Sequence, residues 1–380
     1  MKTEIDIAFA LLRAALFDSS TLPLFPSSTL TSKDWWRLFR LMQQNHVAAL
    51  TADTVVALDV PREVMIPWLS EQQKDKDWYR YQLEVQEEIV GLMAKHGIET
   101  MVLKGTHTAQ YYPVPETREF GDLDLYFYDK HDEADALAHK ILKVSVGNEA
   151  HHHSKYNYRG VTVESHYDFL NTHYPPSNRR YEALLKGLAG NSQLSTLNSQ
   201  LSTFEILFLL RHMACHFAAS RITLRDLVDW ALTCRALHDK ADWQLIEKTI
   251  SDYGMTDFVA ALNAIAEQRL GVQPLSHLVT QSLSHSVTQS PSHPTTQPLF
   301  LSSTLPLFLS STLPLIEKDL LYGTVSDHAA DGPARLAWKL RRWRALRWKR
   351  QLVYNDSPSA ILLASLTSHA EKPHSILHKL

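Results

Sequence analysis

The run Gly121-Asp122-Leu123-Asp124-Leu125-Tyr126-Phe127 decides the fold of the middle of this chain. Its polar and apolar residues alternate, which predicts a β-strand, and side chains two residues apart on a strand lie on the same face. Asp122 and Asp124 therefore share one face near the start of the strand. Because neighbouring carboxylates repel each other, the pair indicates a site for a hard divalent cation, usually one carried with the phosphates of a nucleotide.

A turn suited to phosphate precedes this strand. Lys104-Gly105-Thr106 follows the apolar segment Ile98–Leu103, which predicts a strand, and begins a short predicted helix. Backbone amides at such a turn can face an anion. Thr106 adds a hydroxyl and Lys104 a positive charge, so the turn is predicted to contact phosphate.

A third acid follows the Asp-x-Asp strand. The segments Tyr156–Tyr158 and Val161–His166 predict a β-hairpin around Arg159-Gly160, and Glu164 lies on the polar face of its second strand. If that strand pairs beside the Asp-x-Asp strand in matching register, three carboxylates meet at one end of the sheet. Two-metal nucleotidyl transfer requires such a set: two acids hold the ions, and the third helps to deprotonate the attacking hydroxyl.

The motifs, and their order along the chain, resemble those of the poorly characterised nucleotidyltransferase family of the polymerase β superfamily. The resemblance is carried by Leu-Lys-Gly, by Tyr-Pro before Arg118, by Gly-Asp-Leu-Asp-Leu and by Val-Glu-Ser-His. It covers about residues 91–168 and extends more loosely over residues 204–243. It implies an α/β (α+β) fold, in which a small mixed sheet is flanked by helical regions.

The resemblance also implies the roles of single residues. Asp122, Asp124 and Glu164 would be the catalytic, metal-binding acids for Mg²⁺ or Mn²⁺, with an NTP as substrate. The phosphate turn would be Gly105 and Thr106, and ancillary contacts to phosphate or substrate would come from Lys104 and Arg118. Two features depart from the wider superfamily: the link from Gly105 to Asp122 is long, and the third acid is Glu where Asp is commoner.

Composition shifts divide the chain into five predicted regions. They are an N-terminal helical region (1–90), the nucleotidyltransferase-like core (91–175), a helical domain (176–275), a low-complexity disordered insert (276–316) and a basic helical C-terminal region (317–380). Short repeats occur at 191–204, 276–299 and 301–316, with related words at 19–30. Polar repeats of this kind bury too little surface to offset their ordering entropy and predict surface loops.

Length, composition and net charge exclude few classes of protein. The chain has 380 residues, 44% hydrophobic and 21% charged, with a net charge of −3, so charge argues neither for nor against nucleic acid. Its two cysteines indicate no disulfide framework. Because the sequence has neither a secretory signal pattern nor an apolar stretch of roughly 18 to 20 residues, we expect a cytoplasmic location without a transmembrane segment.

Histidines and helical acids offer further candidates. The run His151-His152-His153 favours a polar loop over a ligand set, because three consecutive histidines cannot all face one ion. His212 and His216 share a helix face but lack the intervening glutamate of a zinc protease. Asp226 and Asp229 would either add to the active site, or cap the start of a helix or pair with neighbours such as Arg221 and Arg225. We discount three further histidines that recur within the 276–299 repeat: His277, His285 and His293.

The segment 335–350 carries eight basic residues and three tryptophans in sixteen positions. It predicts an amphipathic helix docked on the protein, with RNA, a membrane surface or a partner protein as alternative contacts.

Two functions of the protein stay open. One is transfer of a nucleoside monophosphate from NTP to an unknown small-molecule, protein or RNA acceptor, with release of pyrophosphate. The other is a catalytically inactive module that binds nucleotide, RNA or a partner.

Overall fold

A computed structural model describes residues 4–17, 30–58, 60–147, 151–190, 198–272, 305–323 and 334–368. Together they form a mixed α/β protein in which a small four-stranded sheet lies among helices, which confirms the predicted fold class. None of the helices in these ranges is long and apolar enough to cross a membrane. Cys215 and Cys234 are both free thiols.

Helices make up most of the described chain. Before the sheet lie α1 Glu4–Phe17, α2 Ser32–Gln44, α3 Ala48–Val56 and α4 Arg62–Lys95. Within the sheet region lie α5 Thr106–Ala109 and α6 His131–Leu137, the latter followed by a π-helical turn over Ala138–Leu142. After it come α7 Asn178–Ala189, α8 Asn198–Ala219, α9 Leu224–Leu237, α10 Trp243–Asp252, α11 Thr256–Ile265, α12 Leu305–Tyr322, α13 Ala334–Ala345, α14 Arg347–Val353 and α15 Pro358–Ser368.

The sheet has the order β1-β2-β4-β3. Its strands are β1 Met101–Val102, β2 Asp122–Tyr126, β3 His153–Tyr158 and β4 Val161–His166. β2 pairs with β4 in parallel, and the two outer pairings are antiparallel. The predicted hairpin around Arg159-Gly160 is present: both residues have positive φ, and the Gly160 amide donates to the Asn157 side chain at 3.0 Å. The parallel pairing of β2 with β4 brings the Asp-x-Asp strand beside the Glu164 strand.

The two faces of the sheet differ in chemistry because of the strand period of two. The apolar face buries Leu123, Leu125 and Val163 against Val85 and Ile89 of α4, in a core separate from the larger helical core. The first half of α4 belongs to that larger core through Val64 and Trp68. α4 therefore ties the sheet to the helical part of the chain, and the opposite face of the sheet is left for polar side chains.

Several element boundaries differ from the sequence predictions. β1 is only two residues long, β3 begins three residues earlier than expected, and the segment 335–350, predicted to be one helix, lies in two helices separated at Leu346. Two helices begin inside the repeats: α8 starts at Asn198 and α12 at Leu305. Ile316 and Leu320 of α12 are buried, and this apolar burial stabilises a helix at the end of a repeat that we predicted to be disordered. The repeats at 19–29 and 276–299, with their histidines, lie outside the described residues.

The basic segment 335–350 docks on the protein through several of its charges. Lys349 is fully buried and donates to Asp319 and to the carbonyl of Ser220. The Arg342 guanidinium donates to the Ala219 carbonyl at 2.8 Å, at the end of α8. This arrangement supports the docked amphipathic interpretation; whether the exposed arginines contact RNA, a membrane or a protein stays a prediction.

Candidate active site

Three rows of side chains cross the polar face of the sheet. Strand register sets them, because residues paired directly across strands point to the same face. From β2 through β4 to β3 the rows are Asp122–Thr162–Asn157, Asp124–Glu164–Lys155 and Tyr126–His166–His153. The matching register anticipated for Asp124 and Glu164 is therefore the observed one, and it places them directly side by side.

Asp124 is the centre of this face. Its side chain is 2% exposed, and its Oδ1 lies 3.0 Å from Lys104 Nζ and 3.2 Å from His166 Nε2. Burial alone would raise the pKa of Asp124, but the Lys104 ammonium and the hydrogen bond with His166 outweigh burial and hold this pKa well below its usual range. Asp124 is thus a buried carboxylate that stays ionised because the Lys104 ammonium and the His166 hydrogen bond stabilise its charge.

Glu164 has the opposite electrostatic setting. Burial and the neighbouring carboxylates of Asp124 and Asp122 raise the pKa of Glu164 above its ordinary value. Its oxygens lie 3.3 Å from Lys155 Nζ and 3.4 Å from His153 Nδ1. Two neighbouring carboxyl groups whose pKa values are pushed apart suit different tasks, one as a fixed anion and the other as a proton acceptor.

Asp122 lies in the row next to Asp124 and is half-buried. Its negative charge raises the pKa of Glu164 and opposes the lowering of the His216 pKa, which burial dominates. All three predicted acids therefore act on one region of the polar face. Asp124, Glu164 and His166 form a group that could hold a metal ion, since their donor atoms lie within 4.8 Å of one another.

The Gly105 turn lies beside the start of β2. Gly105 has a φ of 62° and precedes the four-residue helix α5. A Cβ added there would meet the Phe120 ring at 3.2 Å and the Asp122 carbonyl at 3.8 Å. Only glycine adopts this conformation in so close an approach. The long link from Gly105 to Asp122 consequently loops away and returns, and the turn stays next to the acids.

The other residues predicted to contact phosphate have partners inside the protein. The Thr106 hydroxyl donates to the Gln86 side chain at 2.5 Å. Besides Asp124, Lys104 Nζ contacts His212 Nε2 at 3.3 Å. Burial, followed by the Lys104 charge, lowers the pKa of His212 well below its ordinary value, so the imidazole is neutral and accepts from the ammonium. Lys104 thereby links the sheet to α8.

Arg118 is buried and held in a fork by Asp229. Its Nε and Nη2 lie 2.8 Å and 2.7 Å from the two Asp229 oxygens, and Nη1 donates to the Gly105 carbonyl at 3.3 Å. This geometry suits a positioning role for Arg118, which ties the Gly105 turn to α9. Asp226 caps α9 through Thr223, one of the local roles that the sequence left open, whereas the partner of Asp229 is the distant Arg118.

Sequence reasoning missed the histidines around Glu164. His153 begins β3 and pairs with His166 of β4, contrary to the loop predicted for His151-His152-His153. One ring nitrogen each of His152, His153 and His166 lie within 4.8 Å of one another. Burial and then His166 lower the pKa of His153 to about 3, so this ring is neutral at physiological pH. The missed signal was the alternation His153, Lys155, Asn157, which extends the β3 pattern upstream.

Comparisons with known proteins agree with this geometry. A family model described as "Uncharacterised nucleotidyltransferase" matches residues 31–271, more than half of the chain. The match contains the whole sheet, the Gly105 turn and α9, which confirms the resemblance noted in the sequence. No curated protein and no solved structure matches the chain.

Proposed function

The chain belongs to the uncharacterised nucleotidyltransferase family, and from this premise we propose that it transfers a nucleoside monophosphate from an NTP to an acceptor, releasing pyrophosphate. The single observation that carries the proposal is the row in which Asp124 and Glu164 stand side by side, next to Asp122. Carboxylates gathered on one face of a sheet, close to a glycine turn, are the parts that nucleotidyl transfer needs.

The donor set fits a divalent cation. Asp122, Asp124 and Glu164 offer carboxylate oxygens, which Mg²⁺ and Mn²⁺ prefer, and the donor atoms of Asp124, Glu164 and His166 already lie within 4.8 Å of one another. We therefore assign the three acids as the residues that would hold the ions. When bound, such ions neutralise the charge of the triphosphate and align it with the attacking group.

The protein's own residues have separate tasks in this proposal. The Gly105-Thr106 turn would hold the β and γ phosphates, and Lys104, which neutralises Asp124 at 3.0 Å, would contribute its charge to the phosphates or substrate. Arg118 keeps the turn in place through the Gly105 carbonyl. Glu164 would accept the proton of the attacking hydroxyl, since burial and neighbouring anions make it the more basic of the carboxylates.

Labelled nucleotides test the proposal. The full chain is incubated with Mg²⁺, a cell extract as the source of acceptor, and NTP labelled either at the α or at the γ phosphate. We expect the α label to enter an acceptor and the γ label to appear in pyrophosphate. Glu164→Gln should abolish incorporation, while Glu84→Gln, an exposed change on α4, should not. Incorporation of the γ label, or full activity of Glu164→Gln, would contradict nucleotidyl transfer.

One observation favours a second function, that of a catalytically inactive module that binds nucleotide. Lys104 already neutralises Asp124, so this carboxylate is compensated without a bound ion. Thermal unfolding with NTP separates the two functions, because a ligand that binds the native state raises its melting temperature. A rise with NTP and Mg²⁺ that is accompanied by no incorporation of either label supports the module.

A further inference from the structure

Beside the three acids, the chain has a second group of possible metal ligands with different chemistry. We propose that His152, His153 and His166 form a binding site for Zn²⁺, which adjoins the carboxylate site proposed above and shares His166 with the group of possible ligands there. The inference rests on the placement of these three rings and does not require the chain to be an active transferase.

The backbone holds the three histidines in place before any ion binds. His153 and His166 are paired residues of β3 and β4. The carbonyl of His152 accepts hydrogen bonds from the amides of Tyr167 and Asp168, both at 3.1 Å. His152 is thereby fixed to the segment that follows His166, although it lies outside the strand. The ring centroids are 4.5 Å, 5.0 Å and 5.5 Å apart, so each imidazole lies close to the other two.

The ring nitrogens lack the partners that a structural histidine usually has. Nδ1 of His152 is buried and has no hydrogen-bond partner among the described residues, and the same holds for Nδ1 of His153. Buried polar atoms are almost always paired with protein, an ordered water or an ion, so these two nitrogens are available to bind an ion. His153 Nδ1 has Glu164 Oε2 at 3.4 Å, outside hydrogen-bond geometry. Two ligands of a tetrahedral zinc ion lie about 3.4 Å apart, which makes Glu164 a fitting neighbour of the site.

His166 has the second contact typical of a metal-bound imidazole. Its Nδ1 lies 3.1 Å from the carbonyl of Asp168, which can only accept, so this nitrogen carries a proton. Nε2 faces Asp124 at 3.2 Å and Glu164 at 3.9 Å, and it would exchange its hydrogen bond with Asp124 for the ion. A metal-ligating histidine usually donates its other N–H to a carbonyl or carboxylate in this manner, which fixes the ring orientation.

The ligand type selects zinc over the ions expected at the acids. Mg²⁺ requires six oxygen ligands in an octahedron, whereas neutral imidazoles suit Zn²⁺ and other first-row transition ions. Three protein ligands on zinc leave a fourth position for water or for an oxygen such as that of Glu164. His152 is half-buried while His153 and His166 are buried, so an ion can enter from the His152 side.

Cobalt reports the site directly, because tetrahedral Co²⁺ absorbs visible light. The full chain, freed of metal with a chelator, is titrated with Co²⁺ and then with Zn²⁺ or excess Mg²⁺. We expect a visible band that saturates at one Co²⁺ per chain, disappears with Zn²⁺ and persists in Mg²⁺. His152→Ala and His153→Ala should each weaken Co²⁺ binding by about tenfold or more. His151→Ala is the matched control, because this neighbour is outside the triad, and it should bind like wild type.

Two further measurements keep the test independent of folding defects. His153→Cys should retain binding and add a thiolate-to-cobalt charge-transfer band in the near ultraviolet, which only a direct ligand can produce. Binding to wild type should also vanish in denaturant, which separates a folded site from chelation by three consecutive histidines. The proposal fails if His151→Ala is as impaired as His152→Ala, if binding survives unfolding, if Mg²⁺ removes the band, or if His153→Cys binds without the new band.

Discussion

Replacing Asp124 with Asn tests the electrostatics of the site most severely. The change removes the negative charge that faces Lys104 Nζ at 3.0 Å while leaving the shape of the side chain nearly unchanged. At an effective dielectric constant of about 20, opposite charges at this distance attract by about 5 kcal/mol. Breaking a buried pair by removing one partner costs about 3 to 5 kcal/mol, since the other charge stays buried.

The lower end of that range applies here. Lys104 is 17% exposed and keeps a second acceptor, His212 Nε2 at 3.3 Å. We therefore expect Asp124→Asn to lower the free energy of unfolding by about 3 kcal/mol. The double variant Lys104→Met/Asp124→Asn removes both charges and should lie within about 1 kcal/mol of wild type, because a hydrophobic replacement of a buried ion pair is often nearly neutral.

Equilibrium urea unfolding in the presence of a chelator gives these free energies. Asp122→Asn is the matched control: it changes the other acid of the same strand, which is half-buried, and should lower stability by less than about 1 kcal/mol. Asp124→Asn and Asp122→Asn should each abolish nucleotidyl transfer. If the effects of Lys104→Met and Asp124→Asn simply add to within about 0.5 kcal/mol, the two groups are not coupled and the electrostatic reasoning is refuted.

Three other predictions concern the surroundings of the site. Gly105→Ala should lower the free energy of unfolding by about 2 kcal/mol, because the residue has positive φ and its new Cβ would lie 3.2 Å from Phe120. Gly187→Ala on α7, which has open space around it, should not destabilise the protein. Urea unfolding compares the two variants. Asp229→Asn should lower the free energy of unfolding by about 3 kcal/mol, because the buried Arg118 guanidinium loses its negatively charged partner. Because Arg118 also donates to the Gly105 carbonyl, the variant should bind NTP more weakly, which isothermal calorimetry would detect. Unchanged NTP affinity would show that Arg118 does not position the turn. Burial and the nearby carboxylates Glu119 and Glu71 raise the pKa of Asp75 from 3.8 to about 7, so the folded state binds its proton more tightly than the unfolded state and stability falls as pH rises from about 4 to 7. Asp75→Asn should match the stability of wild type near pH 4 and exceed it by about 4 kcal/mol at pH 8. Equal pH profiles of the two proteins would show that the pKa of Asp75 is not perturbed.

The arrangement of the acids could be predicted because it depends on local periodicity. Alternation in the Asp122 and Glu164 strands indicated which side chains share a face. The matching register of the two strands entered only as a condition, which the structure meets. Most helices were equally readable from the 3.6-residue pattern, apart from their boundaries and from α12, which begins inside a repeat predicted to be disordered. Pairings between distant residues could not be predicted in this way.

Arg118 and Lys104 show why contacts between distant residues could not be predicted from the sequence. Arg118 pairs with Asp229, 111 positions away in sequence, and no local pattern indicates that contact. Lys104 was expected to face phosphate, but a carboxylate as buried as Asp124 requires a counter-charge, and only the folded distances show which cation supplies it. His153 was missed because the run of three histidines hides the start of the alternation that continues through Lys155 and Asn157.

Crystals of the full chain soaked with Mn²⁺ and a non-hydrolysable NTP analogue test the central claim most directly. Anomalous scattering near the manganese edge locates the ions independently of the protein model. We expect manganese peaks bound by the carboxylates of Asp122, Asp124 and Glu164, with the triphosphate against the Gly105 turn and Lys104 moved away from Asp124. A nucleotide bound elsewhere, or no manganese at these acids while Lys104 keeps its contact with Asp124, would contradict the account.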